Sequence, residues 1–218
     1  MAQQWVSEHD FDCIISTDGD GDRPLVSDEN GNWLRGDVAG ILCAEYLQAD
    51  RVVTPVSSNS AVEKSGYFES VKRTQIGSPY VIEAMTVLLS PDKTVVGYEA
   101  NGGFLQASDI MHAGKVMRSL PTRDAAVVPL AILLLADKKA MTISALLMTL
   151  PARYTASDRL KAVPTTLSQS ILATMQTDNH LENIAAIQQR FPDLGMPIDI
   201  NTGDGVRMTF ENDDIVHL

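Results

Sequence analysis

Cysteine is nearly absent from this 218-residue chain: Cys13 and Cys43 lie in the apolar stretches FDCII and AGILCAEYL, with no C-x-x-C pair. A disulfide framework and a cysteine metal site therefore lack their raw material, and both residues are expected to be buried, reduced thiols. Histidine is scarce too. His9, His112, His180 and His217 are scattered, with no i, i+4 pair of the zinc-protease kind. Basic charge is also in short supply, 17 Lys and Arg against 28 Asp and Glu, for a net charge of −11. With no basic stripe in view, a nucleic-acid partner is set aside. The longest apolar run, Ala125 to Ala136, is interrupted by Pro129 and falls short of the ~20 residues a spanning helix needs. The opening MAQQWVSEHD has neither the basic segment nor the apolar core of a signal peptide. A soluble, cytoplasmic protein with no membrane partner is the expectation, and the oligomeric state is left open.

What is present has the texture of a packed protein, 44% apolar and 21% charged. Phe11 to Ser16 reads as a buried strand, and Pro24 to Ser27 as a second one ending at the Asn30-Gly31 turn. Asp37 can cap a helix running through Gln48. Arg51 to Val56 is then a buried strand, a short helix from Asn59 stops at Gly66, and Tyr67 to Thr74 is another strand. Ser78-Pro79 opens a further helix with a cap and a first-turn proline, Thr94 to Glu99 is a third strand, and a long helix covers Thr122 to about Asp137. This alternation predicts an α/β layer domain with a mixed, largely parallel sheet. Beyond Leu150-Pro151 the texture changes. A strand over Ala152 to Ser157, helices over Thr165–Met175 and Leu181–Arg190, a strand over Ile198–Thr202 and a hairpin around Asn212-Asp213-Asp214 make an α+β region.

The sharpest motif is Thr17-Asp18-Gly19-Asp20-Gly21-Asp22-Arg23, directly after the first strand. Three like charges at such spacing repel, and glycines let the backbone curl until the carboxylates converge on a cation. Their hard oxygens suit Mg²⁺, leaving coordination positions for water or a phosphate oxygen, and Arg23 could hold a phosphoryl group by charge-assisted hydrogen bonds. A solvated acidic turn is the plain alternative. Calcium is another: Asp18, Asp20, Asp22 and Glu29 fall on positions of an EF-hand loop, although Arg23 stands where that loop needs glycine and a strand precedes it where a helix is required.

A second loop, Gly97-Tyr98-Glu99-Ala100-Asn101-Gly102-Gly103, ends the third strand, where α/β sheets face their ligand crevice. Glu99 and Asn101 offer an acceptor and a mixed donor-acceptor suited to neighbouring sugar hydroxyls, against the alternative of an ordinary glycine turn. Ser57, Ser58 and Ser60 also follow a strand, but helix capping accounts for that stretch better than a nucleophile without a histidine base.

Taken together, DGDGDR and the later GYEANGG, with RTQIGSPYVIEAM and LPTRDA, resemble the α-D-phosphohexomutase family, particularly its bacterial phosphomannomutases. The resemblance implies that Asp18, Asp20 and Asp22 bind Mg²⁺, that Arg23 lies beside the transferring phosphoryl group, and that Glu99, Asn101 and Gly102 contact a hexose phosphate. It also implies interconversion of sugar 1- and 6-phosphates by way of a phosphoserine and a bisphosphorylated intermediate. Within the family's four-domain design, residues 1–35 would be the end of domain 2, 36–150 domain 3 and 151–218 an incomplete domain 4. Neither the family's serine loop of T-A-S-H-N-P type nor its phosphate clamp of R-P-S-G-T-E-P type occurs in these residues, so the isolated chain is expected not to turn over. Within the sugar loop, Asn101 stands where serine is common and Gly103 where many members carry histidine. A non-catalytic module binding metal and sugar phosphate is the rival expectation.

Overall fold

The structure, a computed structural model, describes residues 2–112 and 114–218. The chain divides into two compact units, one ending at Thr155 and one beginning at Ala156.

The first unit starts with α1 (Ala2–Glu8) and a hairpin of β1 (Ile15–Thr17) and β2 (Pro24–Val26). There follow α2 (Gly36–Tyr46), β3 (Arg51–Pro55), α3 (Ala61–Lys64), β4 (Ser70–Thr74), α4 (Ser78–Leu88), β5 (Val95–Tyr98) and β6 (Phe104–Gln106). A small hairpin of β7 (Ile110–His112) and β8 (Lys115–Met117) leads to α5 (Val127–Lys139) and α6 (Ile143–Leu147). The sheet runs β4-β3-β5-β6, with β3 parallel to both β4 and β5 and β6 antiparallel at one edge. This is the mixed, largely parallel α/β layer that the alternation of elements predicted.

Period-two alternation between two covered faces explains why consecutive residues within β3 and β5, Val52-Val53 and Val95-Val96, are both apolar. Val52 and Val96 pack with Ile41 and Leu42 of α2 and Ile132 of α5, whereas Val53 and Val95 pack with Val81 and Met85 of α4. Each such side chain, fully removed from water, stabilises the fold by about 1.5–3 kcal/mol. Helices thus cover both faces, and the sheet's strand ends are left to carry polar groups.

Local details differ from the sequence expectations where tertiary contacts win. Phe11 and Ile15 are 42% and 48% exposed, so the first strand is not buried, and Cys13 is only half-buried. Among the described residues β1 pairs with β2 alone, so no further strand covers the hairpin. Cys43 is buried and its thiol is pushed well up by desolvation and then by Asp124. Asp37 is not a cap: Arg35 occupies that position, and Asp37 sits inside the first turn, fully buried, accepting from Asn59 N at 2.8 Å and Val38 N at 3.0 Å. Likewise Gly77, not Ser78, precedes α4. The long helix begins at Val127, later than expected, because the Asp124 carboxylate accepts from Ala126 N at 2.7 Å and stops the chain entering a helix sooner.

No strand forms over Ala152–Ser157. There the Asn59 side-chain amide donates to Arg153 O at 2.8 Å and to Thr155 Oγ1 at 2.9 Å, and Arg153 Nε donates to Ser60 Oγ at 3.0 Å. Those bonds hold the segment without a sheet partner and tie it to the first unit past Leu150-Pro151.

The second unit holds α7 (Thr165–Ala173), α8 (His180–Arg190), a short 3₁₀ turn at Pro192–Leu194, and an antiparallel sheet of β9 (Pro197–Asn201), β10 (Arg207–Phe210) and β11 (Ile215–His217). The expected helices, strand and terminal hairpin are all present, and Asp213 takes the left-handed turn conformation at φ 70°. Its core is Met175, Ile187, Val206, Met208 and Phe210. Among the described residues no helix is long and apolar enough to cross a membrane.

Candidate active site

The link from β1 to β2 is the aspartate loop. Gly21, at φ 76°, allows the reversal in which Gly21 N donates to Asp18 O and Asp18 N to Arg23 O, both at 3.2 Å. Arg23 N in turn donates to Asp18 Oδ1 at 3.1 Å. The backbone thereby gathers the Asp18, Asp20 and Asp22 carboxylates so that one oxygen from each lies within 4.8 Å of the others.

Such crowding needs positive charge. Arg23 folds back over the trio: its guanidinium ion-pairs with Asp18, with Nε 3.4 Å from Asp22 Oδ1 and Nη2 3.8 Å from Asp20 Oδ1. Desolvation pushes the Asp18 carboxyl up, but the Arg23 amide, the adjacent Asp20 and the Arg23 charge outweigh it and leave it below its ordinary value. Asp18 Oδ2 and Asp22 Oδ1, the two oxygens nearest that guanidinium, are buried and meet it as ion pairs without hydrogen-bond geometry. Buried carboxylate oxygens short of hydrogen bonds are costly, and three hard donors converging around them are a set that a Mg²⁺ ion fits.

The EF-hand alternative fails on Glu29. Its carboxylate accepts from Ser144 Oγ, and from Ser144 N at 3.1 Å, so it is committed to α6 and not to the aspartate loop. The serine stretch is likewise structural: Ser58 Oγ accepts from Thr54 Oγ1 at 2.7 Å, and the Asn59 side chain accepts from Ala61 N at 2.8 Å at the start of α3.

The second loop leaves the end of β5. Glu99 N donates to Gly103 O at 2.9 Å, Gly102 N to Glu99 O at 3.0 Å, and Gly103 N to the Asn101 side-chain oxygen at 3.0 Å. Asn101 is exposed with that oxygen engaged in the turn. Gly102 is buried, and its place in the site is one of close approach: a Cβ on Gly36 would lie 2.2 Å from Gly102 N, and one on Gly102 would lie 3.0 Å from Pro24 O. The Glu99 loop is therefore seated directly on the base of the aspartate hairpin. Glu99 is only 3% exposed.

The residue that joins the two loops lies outside both DGDGDR and GYEANGG. Arg123, in the segment between β8 and α5, donates from Nε and Nη2 to Glu99 Oε2 at 3.0 and 2.8 Å, and from Nη1 to Asp22 Oδ2 at 3.0 Å. Its stem fills the space beside Gly103, where a Cβ would come within 2.8 Å of Arg123 Nε. The Arg123 guanidinium is held more firmly protonated than usual, first by the Glu99 hydrogen bonds and then, against desolvation, by Asp22. The sequence carried one signal for it, its place in LPTRDA ahead of a helix. Nothing local showed which carboxylates it would meet.

Comparison with known proteins points to one family. Residues 35–154, more than half the chain, match the family described as phosphoglucomutase/phosphomannomutase, alpha/beta/alpha domain III. A phosphomannomutase of Salmonella muenchen is 44% identical over 216 residues, covering 98% of this chain and 44% of the relative. The chain thus spans less than half the length of that relative. Among solved structures, a phosphoglucomutase/phosphomannomutase family protein from Burkholderia thailandensis superposes with a TM-score of 0.66 at 16% identity, over 96% of this chain and 40% of that one. An Aspergillus fumigatus N-acetylphosphoglucosamine mutase, solved with GlcNAc-6P and magnesium, gives a TM-score of 0.50 at 16% identity, over 81% of this chain and 51% of the other.

Proposed function

The chain belongs to the phosphoglucomutase/phosphomannomutase family, and from that premise we propose that it carries the metal loop and the sugar loop of a Mg²⁺-dependent hexose phosphate mutase of phosphomannomutase type. The observation that carries this reading is the single polar cluster in which Asp22 and Glu99, from separate loops, share Arg123. Asp18, Asp20 and Asp22 would hold the ion, which when bound offsets the negative charge of a transferring phosphoryl group. Arg23, already folded over these carboxylates, would be displaced from them and would donate to phosphoryl oxygens. Asn101, exposed on its turn, and Glu99, beneath it, would orient the sugar hydroxyls, with Gly102 letting their loop approach the metal hairpin. Residues 1–35, 36–150 and 151–218 would correspond to the end of domain 2, domain 3 and part of domain 4. A cytoplasmic location fits a hexose phosphate substrate.

These residues by themselves would not sustain turnover, since they include no serine loop of the family type to carry the phosphoryl group. The test is to incubate the 218-residue chain with mannose 1-phosphate, a hexose bisphosphate and Mg²⁺, and to titrate Mg²⁺ and sugar phosphate separately by calorimetry. Metal binding abolished by replacing all three aspartates, weak sugar-phosphate binding and no isomerisation are expected. Tight sugar-phosphate binding without turnover would favour a non-catalytic binding module. Sustained isomerisation would overturn the inactivity, and unchanged Mg²⁺ affinity in the triple variant would overturn the site.

A further inference from the structure

Arg123 makes two kinds of contact. Two of its nitrogens converge on one oxygen of Glu99, whose side chain is 4% exposed, whereas the third reaches Asp22, whose side chain is 32% exposed. The Glu99 pair is the durable one, because losing Arg123 would leave the Glu99 charge buried and unpaired. The Asp22 contact is solvent-accessible and replaceable. Asp22 also belongs to the carboxylate trio, and its other oxygen is buried 3.4 Å from Arg23 Nε without a hydrogen bond. A divalent ion gathered by that trio would face the Arg123 guanidinium as a like charge across a shared carboxylate.

We infer that Arg123 is a positioning residue with one fixed and one exchangeable arm. Glu99 anchors the guanidinium under the sugar loop. The Nη1 contact holds Asp22 in register while no ion is present, and it opposes the ion's charge when one arrives. Metal uptake then weakens Arg123's hold on Asp22 and frees Nη1 to donate to an anionic oxygen of a ligand lying between the loops. By linkage, the factor by which Arg123 weakens the ion is the factor by which the ion weakens the Arg123–Asp22 contact. The arrangement depends on residue 103 being glycine, since the Arg123 stem occupies the room a side chain there would take. Arg123 thus supplies, from a distant segment, a basic group beside a loop position that carries no side chain of its own.

This inference rests on the magnesium reading proposed above, and calorimetric titration with Mg²⁺ alone separates the two. Arg123→Gln, which removes the opposing charge, is expected to bind Mg²⁺ about tenfold more tightly than the parent chain at low ionic strength. Gly103→Ala keeps the charge but pushes the flexible Arg123 stem aside, and is expected to shift affinity in the same direction by less. Because it leaves the Arg123 guanidinium in the protein to pair with Glu99, it also guards against misfolding of Arg123→Gln. In the parent chain, Mg²⁺ should move the Arg123 side-chain N–H resonances in nuclear magnetic resonance spectra, an effect a purely structural arginine would not show. If the parent binds Mg²⁺ and both variants bind it equally or more weakly, the exchangeable arm is refuted while the metal site stands. If the parent binds no Mg²⁺, both fall.

Discussion

Strand β2 has an acidic turn at each end, and the two treat their carboxylates in opposite ways. After the strand, Asp28 is buried and fully used: Oδ1 accepts from Asn30 N at 2.9 Å and Asn32 N at 2.8 Å, and Oδ2 from the Asn32 side-chain amide at 3.0 Å. Before it, Asp18 and Asp22 each keep a buried oxygen that the Arg23 guanidinium faces without a hydrogen bond. Both turns are acidic and carry glycine, so neither feature separates them. Donor supply does. The first turn surrounds its carboxylate with amides, whereas the second alternates acids with glycine and relies on arginines from either end of its unit. A carboxylate whose oxygens are consumed by backbone amides is structural, and one left short of donors is held ready for something else.

The largest expected effect would break this contrast outright. Asp28→Ala leaves two amides and the Asn32 side chain without their acceptor and should destabilise the fold by about 3 kcal/mol, read by urea unfolding. Replacing Asp18, Asp20 and Asp22 together by Asn should leave the thermal midpoint unchanged or higher while costing more than ~100-fold in Mg²⁺ affinity. A loss of stability in the triple variant as large as that of Asp28→Ala would erase the distinction.

A smaller effect compares the packed base of the hairpin with its open tip. Gly36→Ala drives a methyl group into Gly102 and should cost about 2 kcal/mol, with weakened sugar-phosphate affinity as the loop is lifted. Gly19→Ala, where nothing lies within 4 Å, should change stability by no more than about 0.5 kcal/mol. Equal costs at the two positions would show that the loops are not in register as described.

The smallest effect is in acid. Desolvation pushes the Glu29 carboxyl up, but the Ser144 hydroxyl and amide outweigh it and hold it down to about 2. A depressed carboxyl contributes stability that is complete above its unfolded value near 4.5 and is lost as pH falls toward about 2. Glu29→Gln should therefore cost about 1 kcal/mol at neutral pH, and the difference from the parent should close across that acid window. A difference that persists at the acid end would mean that packing, not charge, joins Glu29 to α6.

Much of the fold was legible because its causes are local. Val52 and Val53 point to opposite faces because strands alternate, and both are apolar because helices cover both faces. Element ends were less legible. Asp37 and Ser78 have the residue types of caps, yet Asp37 is spent on Asn59 N and Gly77 takes the place before α4. The aspartate loop could be read because its chemistry is contiguous. The environment of Glu99 could not, since its partner is 24 positions away.

The amino-acid sequence alone determined the α/β alternation, the gathering of acids at the end of the first hairpin strand, and the loop that follows β5. The tertiary structure alone decided that these loops meet through Arg123, 101 positions from Asp22, and that Gly36 and Gly102 touch. Periodicity and turn chemistry act over a few residues and leave their mark in order along the chain. A charge pair or a close backbone approach between distant segments exists only once the sheet and helices have packed and brought them together.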